Sequence, residues 1–201
     1  MNLSRFFKKK YLLYFVMFFG VALIVGISAY NGAGLGAIIS ELIAVLSVEI
    51  LVVELYQSRK ISEAQFIADL NQSFVSNEDY KKAYQLFENY DFETCPDLDL
   101  DNIHISNYLT FFEVFEMLID RGTLSLELVN DLFGYRFFIA MHNPYVQNKK
   151  LVKSPENFRN LYILERDWMA YRRKHGLPIF HEEYALENVV DKEIYEKLSI
   201  Y

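Results

Sequence analysis

Two unbroken apolar runs open the chain, Tyr11–Tyr30 (YLLYFVMFFGVALIVGISAY) and Leu35–Leu55 (LGAIISELIAVLSVEILVVEL), joined only by Asn31–Gly34. A helix of about 20 residues is roughly 30 Å long, the thickness of a bilayer's hydrocarbon core. The pattern therefore predicts a transmembrane hairpin with spans at about 11–30 and 35–55. Beyond it the apolar positions recur at intervals of three and four, the helical spacing, and no stretch alternates with period two. Leu55–Phe74 contains neither Pro nor Gly, and Ile61, Ala64, Ile67, Ala68, Leu70 and Phe74 fall near one face. The second span is expected to run on as a helix, with a kink near Ser58. Asn77 or Ser76 caps the next helix, whose face carries Tyr80, Ala83, Tyr84, Phe87 and Tyr90. Asp91–Asn102 reads as an acidic loop.

Residues 103–121 form the clearest amphipathic pattern. Tyr108, Phe111, Phe112, Phe115, Leu118 and Ile119 make its apolar stripe, and Glu113, Glu116 and Asp120 lie opposite. Arg121-Gly122 ends it. Ser125 caps a helix over Leu126–His142, with Val129, Leu132, Phe133, Arg136, Phe137 and Ala140 on one face, and Asn143-Pro144 stops it. Ser154-Pro155 opens a helix running to Lys174, with Phe158, Leu161, Tyr162, Glu165, Trp168 and Met169 on its face, ended by Gly176 and Pro178. The expected fold is all-α: a two-helix hairpin in residues 1–58, then a cytoplasmic antiparallel helical bundle in 59–201. Within the bundle, 177–201 is a C-terminal tail with one short helical pattern near Asp191–Leu198.

Charge orients this arrangement. Arg5, Lys8, Lys9 and Lys10 precede the first run, Arg59 and Lys60 follow the second, and the joining loop is uncharged. The positive-inside rule puts both termini in the cytoplasm of a multi-pass inner-membrane protein. A cleaved signal peptide ending near Ala29 is the rival reading. The first run exceeds the usual h-region of about 7–15 residues, and a second span follows at once. Of the chain's 27 acidic and 20 basic side chains, three and six fall in residues 1–60, so the other 141 residues carry a net charge of −10. An acidic domain without a basic stripe argues against nucleic-acid binding. Cys95, the single cysteine, excludes an internal disulfide framework. Small residues at Ala22 and Gly26 suit close packing of the two spans.

Few residues carry candidate chemistry. Glu41, Glu49 and Glu54 sit in the second run, where a charge at mid-bilayer costs about 2.5–3.5 kcal/mol. Glu49 is the deepest. At about 100° per residue these acids do not share one stripe, whereas Ser40 and Ser47 lie on a common face near Glu54. A pore, a proton site or an oligomer contact is the functional reading. A carboxyl hydrogen-bonded to a neighbouring helix is the structural one. Arg136 and Glu165 interrupt apolar faces, and a buried charge needs a partner. They are expected to form an interhelix ion pair, or Arg136 to pair with Glu113 or Asp120. His104, His142, His175 and His181 have no metal-ligand spacing, and no catalytic motif is present, so no metal, cofactor or enzyme activity is expected. Tyr90, Tyr135, Tyr145, Tyr171 and Tyr201 are left over from the apolar faces and suit an interface.

The run Tyr108–Tyr135 (YLTFFEVFEMLIDRGTLSLELVNDLFGY), followed by Arg136-Phe137-Phe138 and by Asn160–Trp168 (NLYILERDW), resembles a family of small bacterial helical proteins of unknown function. The shared features are an aromatic FFE helix, a Gly turn, an LFGYRFF-like helix and a Trp-bearing last helix. They cover roughly residues 60–170, and members often have one or two N-terminal spans. The resemblance supplies no catalytic residues. Some similar two-span proteins are encoded among bacterial phage-defence genes, where an effector damages the membrane. The leading expectation is an interaction module at the inner membrane face that binds a protein partner or itself. The second is a small oligomeric membrane effector or channel.

Overall fold

The computed structural model describes residues 19–23, 25–27, 30, 32 and 34–200. Most of the expected first span and its loop fall outside these residues, as does Tyr201; residues 19–23 and 25–27 are helical. All regular elements among the described residues are helices. The chain divides into two compact units, Met1–Ala64 and Gln65–Tyr201.

Helix α1, Leu35–Ser76, begins in the first unit and is uninterrupted through Ser58. With no Pro or Gly between Leu55 and Ser76, nothing removes a hydrogen bond from its ladder. Its apolar stretch is long enough to cross a membrane, and none of it is buried. Ile39, Ile43, Val48, Ile50 and Leu55 are all exposed. The half-buried positions are Ile38, Leu42, Val45, Glu49 and Val53, spaced by three and four. They form one stripe on a helix that is apolar all round.

The second unit contains the end of α1 and helices α2 (Glu78–Glu88), α3 (Asn102–Asp120), α4 (Leu126–Met141), α5 (Arg159–Lys174) and α6 (Lys192–Ser199). Asn77 caps α2 by accepting from the Asp79 and Tyr80 amides, and Asp191 caps α6 in the same way. Gly122 (φ +66°) and Gly176 (φ +64°) take the left-handed turns that end α3 and α5. Asn143-Pro144 ends α4, but Asn143 also caps a short turn at Pro144–Val146 that leads into a π-helix at Gln147–Leu151. Helix α3 packs on α5 and α2, α5 packs on α4 and α6, and α2 also meets α4.

Phe74, near the end of α1, is an aromatic hub. The rings of Tyr80, Tyr84, Tyr108, Phe111, Phe112 and Phe133 lie around it with centroids 5.2–6.5 Å away. Tyr108, Phe112, Phe115, Phe133 and Phe137 are essentially fully buried, as their helical spacing predicts. Several positions differ from expectation, among them Ile61, Ala64 and Ala68 of the expected apolar face, which are exposed. Leu132 is 44% exposed, because α4 is apolar on several faces and its core side is taken by Val129, Phe133 and Phe137. Glu116 is buried although its spacing puts it opposite the stripe, because α3 is covered by α5 as well as α2. Tyr90, placed by spacing on the apolar face and also considered for an interface, is buried, in line with the first of these. The segment 177–200 is no loose tail: Ala185, Leu186, Tyr195 and Leu198 complete the core.

The buried phenols carry a pH signature. Burial pushes the Tyr108 hydroxyl well above the usual tyrosine value of 10.0, and pushes Tyr84 and Tyr90 up to about 12. A proton held more tightly in the folded chain adds stability below the unfolded value, and that stability is lost as pH rises through the folded value. Melting temperature is therefore expected to fall as pH is raised from 10 towards 12. The share of the tyrosinate absorbance that belongs to the buried phenols should appear together with unfolding rather than before it.

Candidate functional site

The acids of the apolar helix have separate placements. Glu49 lies on the half-buried stripe, and with Glu54, Leu46, Ile50 and Val53 it borders a shallow recess. Glu41 and Glu54 are exposed. The Ser47 hydroxyl donates to the Ile43 carbonyl of its own helix at 2.7 Å. That bond spends its donor locally.

The expected ion pair between Arg136 and Glu165 does not form, and neither Glu113 nor Asp120 meets Arg136. Arg136 donates from Nη1 to Asn71 Oδ1 at 2.8 Å, and its guanidinium lies 4.6 Å from the centre of the Phe74 ring, with Phe133 and Tyr84 beyond. Aromatic faces and one amide thus stand in for a carboxylate. The two residues point to different parts of the core, because α4 presents Arg136 to α1 and α2 but turns the end of its last turn towards α5.

Glu165 instead faces His142, with Nε2 3.0 Å from Oε1 and both side chains fully buried. His142 Nδ1 lies 2.6 Å from the Phe180 carbonyl, which can only accept, so Nδ1 carries a proton. A second proton is then shared between Nε2 and Oε1, and the pair is neutral overall wherever that proton rests. The same Oε1 accepts the Leu186 amide at 2.8 Å.

A second buried polar group lies along the same helices. Asn130 Oδ1 accepts from Trp168 Nε1 at 3.2 Å and from Arg172 Nη1 at 2.7 Å, while Arg172 Nε donates to the Pro178 carbonyl at 2.7 Å. Burial lowers the guanidinium's pKa, and Asp131 opposes that shift. Arg172 also lies over the Phe138 and Phe180 rings. Gly134 makes room for this group: a Cβ there would meet Arg172 Nη1 at 2.8 Å and Asn130 Oδ1 at 3.3 Å. Gly134→Ala gains helix propensity of about 1 kcal/mol but must displace the guanidinium. The expected result is a net loss of stability by denaturant unfolding, and a neutral Ala would show that Arg172 moves aside freely. Gln147 adds a further link, donating to the Tyr184 and Met141 carbonyls at 2.6 and 2.8 Å.

These side chains converge on one stretch of main chain, residues 178–186. Arg172 holds the carbonyl of Pro178, His142 that of Phe180 and Gln147 that of Tyr184, while Glu165 holds the amide of Leu186. The buried polar chemistry is therefore directed at the chain's own backbone, and no serine or cysteine stands beside the His142–Glu165 pair in these bonds. Among the described residues, no three His, Cys, Asp or Glu side chains are placed to hold a metal ion. Sequence reasoning passed over His142, Asn130, Gln147 and Arg172. One signal was available for the second group: a glycine inside a helix, Gly134, marks a close approach by another group.

No curated protein and no solved structure is detectably similar to the chain. A family model does match residues 35–168, about two thirds of the sequence, taking in the apolar helix, the Phe74 hub and α5 as far as Trp168 but stopping short of Arg172 and the 178–186 segment. The chain thus belongs to the family described as a domain of unknown function, DUF4760.

Proposed function

We propose that this protein is a membrane-anchored helical interaction module facing the cytoplasm. The observation that carries this reading is the unburied apolar stretch of α1. Leaving a large aliphatic side chain in water forgoes about 1.5–3 kcal/mol, and many such side chains line this helix. A bilayer removes that cost. The charge pattern completes the reading: the first apolar run pairs with α1 as a two-span hairpin, both termini are cytoplasmic, and the acidic unit is an antiparallel bundle at the inner membrane face. Its partner is a protein or a second copy rather than nucleic acid, since the unit is acidic. It acts by binding, with no cofactor and without catalysis.

Cys95 supplies the test, because it is the single cysteine and is exposed. A membrane-impermeant maleimide should label it in inverted membrane vesicles or lysed cells and leave it untouched in intact spheroplasts. Labelling in intact spheroplasts, or recovery of the protein in the soluble fraction, would overturn the reading.

A second reading, a small oligomeric effector or channel, is favoured by one observation. Glu49, the deepest acid, lies on the half-buried stripe of α1 rather than among its exposed positions. An intramembrane carboxyl on a packing face is a site for a proton, an ion or a second helix. Induced expression should then depolarise the membrane, and Glu49→Gln should abolish the effect. A monomer in detergent, or unchanged toxicity in the variant, removes the channel reading.

A further inference from the structure

We infer that residues 177–190 are a releasable strap, which lifts from α4 and α5 while the helices stay folded and so uncovers the polar side chains that grip it. The basis is how the strap is held. Four side chains on or after α4 and on α5 grip its main chain, and three of the four, Arg172, His142 and Glu165, are ionisable groups that are otherwise costly to bury. When the strap lifts, Arg172, His142, Gln147 and Glu165 regain water, so the loss of these bonds is largely compensated. No such compensation exists for separating Phe112, Phe133 and Phe137, whose side chains are wholly apolar. The helix bodies therefore open at higher free energy than the strap.

The strap's own backbone points the same way. His181 sits in the left-handed region at φ +53°, a conformation that strains a residue with a Cβ and is relieved on release. Gly176 at φ +64° provides a hinge at one end, and the Asp191 cap of α6 provides a fixed point at the other. The strap's regular structure is limited to single turns at Glu182–Tyr184 and Leu186–Val189. Only Ala185 and Leu186 are fully buried; Ile179, Phe180 and Val190 pack part-buried against the core, His181 stacks on Phe92, and Arg173 pairs with Glu182 and Glu187 at the surface. The strap also lies beyond the family-matched residues, whereas His142, Gln147 and Glu165, which receive it, lie within them.

Hydrogen–deuterium exchange on the full chain in detergent tests this. Strap amides, the Leu186 amide among them, should exchange at least roughly tenfold faster than the most protected amides of α3 to α5, with little dependence on denaturant. Leu186→Ser should speed strap exchange further while leaving α3 to α5 protected and Trp168 fluorescence unchanged. A synthetic peptide of residues 177–190 should then bind this variant and not the parent chain. If Leu186→Ser unfolds the whole unit, Gln147→Ala, which removes the amide that holds the Tyr184 and Met141 carbonyls, takes its place. Strap amides that exchange only with global unfolding overturn the inference, as does a peptide that fails to bind a variant whose strap is open. Exchange does not depend on topology, so either failure leaves the maleimide test of the membrane anchor untouched.

Discussion

Glu165→Ala is expected to destabilise the Gln65–Tyr201 unit by about 3–5 kcal/mol, the usual cost of removing one partner from a buried charged pair. The size follows from what Oε1 does. It faces His142 Nε2 and accepts the Leu186 amide, so its removal strands two buried polar groups at once and leaves a cavity. A penalty of this size lowers the melting temperature by roughly 10–20 °C for a unit of this length. Glu165→Gln keeps the volume and one acceptor but removes the shared proton, so it should cost less, about 1–3 kcal/mol. Denaturant unfolding followed by Trp168 fluorescence measures both. A double-mutant cycle with His142→Ala separates the pair from its surroundings: the double variant should cost clearly less than the sum of the two. Additive costs would mean that the two groups do not act as a unit.

Trp168→Ala should cost a similar amount, about 3–5 kcal/mol, for a different reason. Trp168 is fully buried, stacks on Phe137 with centroids 4.8 Å apart and meets Phe138 edge-on at 5.9 Å. Truncation opens a large apolar cavity, and its rigid surroundings cannot close over it. The indole N–H bond to Asn130 is the smaller part, because Asn130 Oδ1 keeps Arg172 as a donor. Trp168→Phe keeps one ring but removes the N–H together with part of the buried volume, and should cost less than Ala, about 1–3 kcal/mol. Circular dichroism melts serve here, since the fluorophore is lost. If Phe proved as damaging as Ala, ring stacking on Phe137 would not be the dominant contribution of Trp168.

Comparison of particular residues shows how much could be read early. Phe112, Phe115, Phe133 and Phe137 are core because their spacing matches the helical repeat, and burial of large aromatic rings outweighs most alternatives. The caps at Asn77 and Asp191 and the left-handed glycines at 122 and 176 are equally local, since each depends only on the geometry of one turn. The partners of Arg136 and Glu165 were beyond such reasoning. Spacing marks both as charges on apolar faces, yet it cannot say which helix each face meets. Glu165 finds a histidine 23 positions earlier, and Arg136 finds an amide 65 positions away. Any pairing on charge alone favours arginine with glutamate, and the packing of α4 keeps those two apart.

The 177–190 segment makes the same point more strongly. Its sequence, with Gly176, Pro178, two adjacent acids and little periodicity, reads as a solvated tail. Its order comes from main-chain groups, and a carbonyl or amide is present in every residue whatever the side chain. Hydrogen bonds from His142, Gln147 and Arg172 to those groups leave no mark in the segment they hold.

By itself, the sequence determined the long apolar helix, the all-helical class, the positions of turns and caps, and the aromatic face of each amphipathic helix. These follow from interactions within a few residues, or from the solvent preference of a whole segment. Only the tertiary structure decided which polar side chains meet, that the stripe carrying Glu49 is the half-buried one, and that residues 177–200 are clamped to the core. Those outcomes depend on contacts between segments far apart in the chain, where geometry rather than residue type selects the partner.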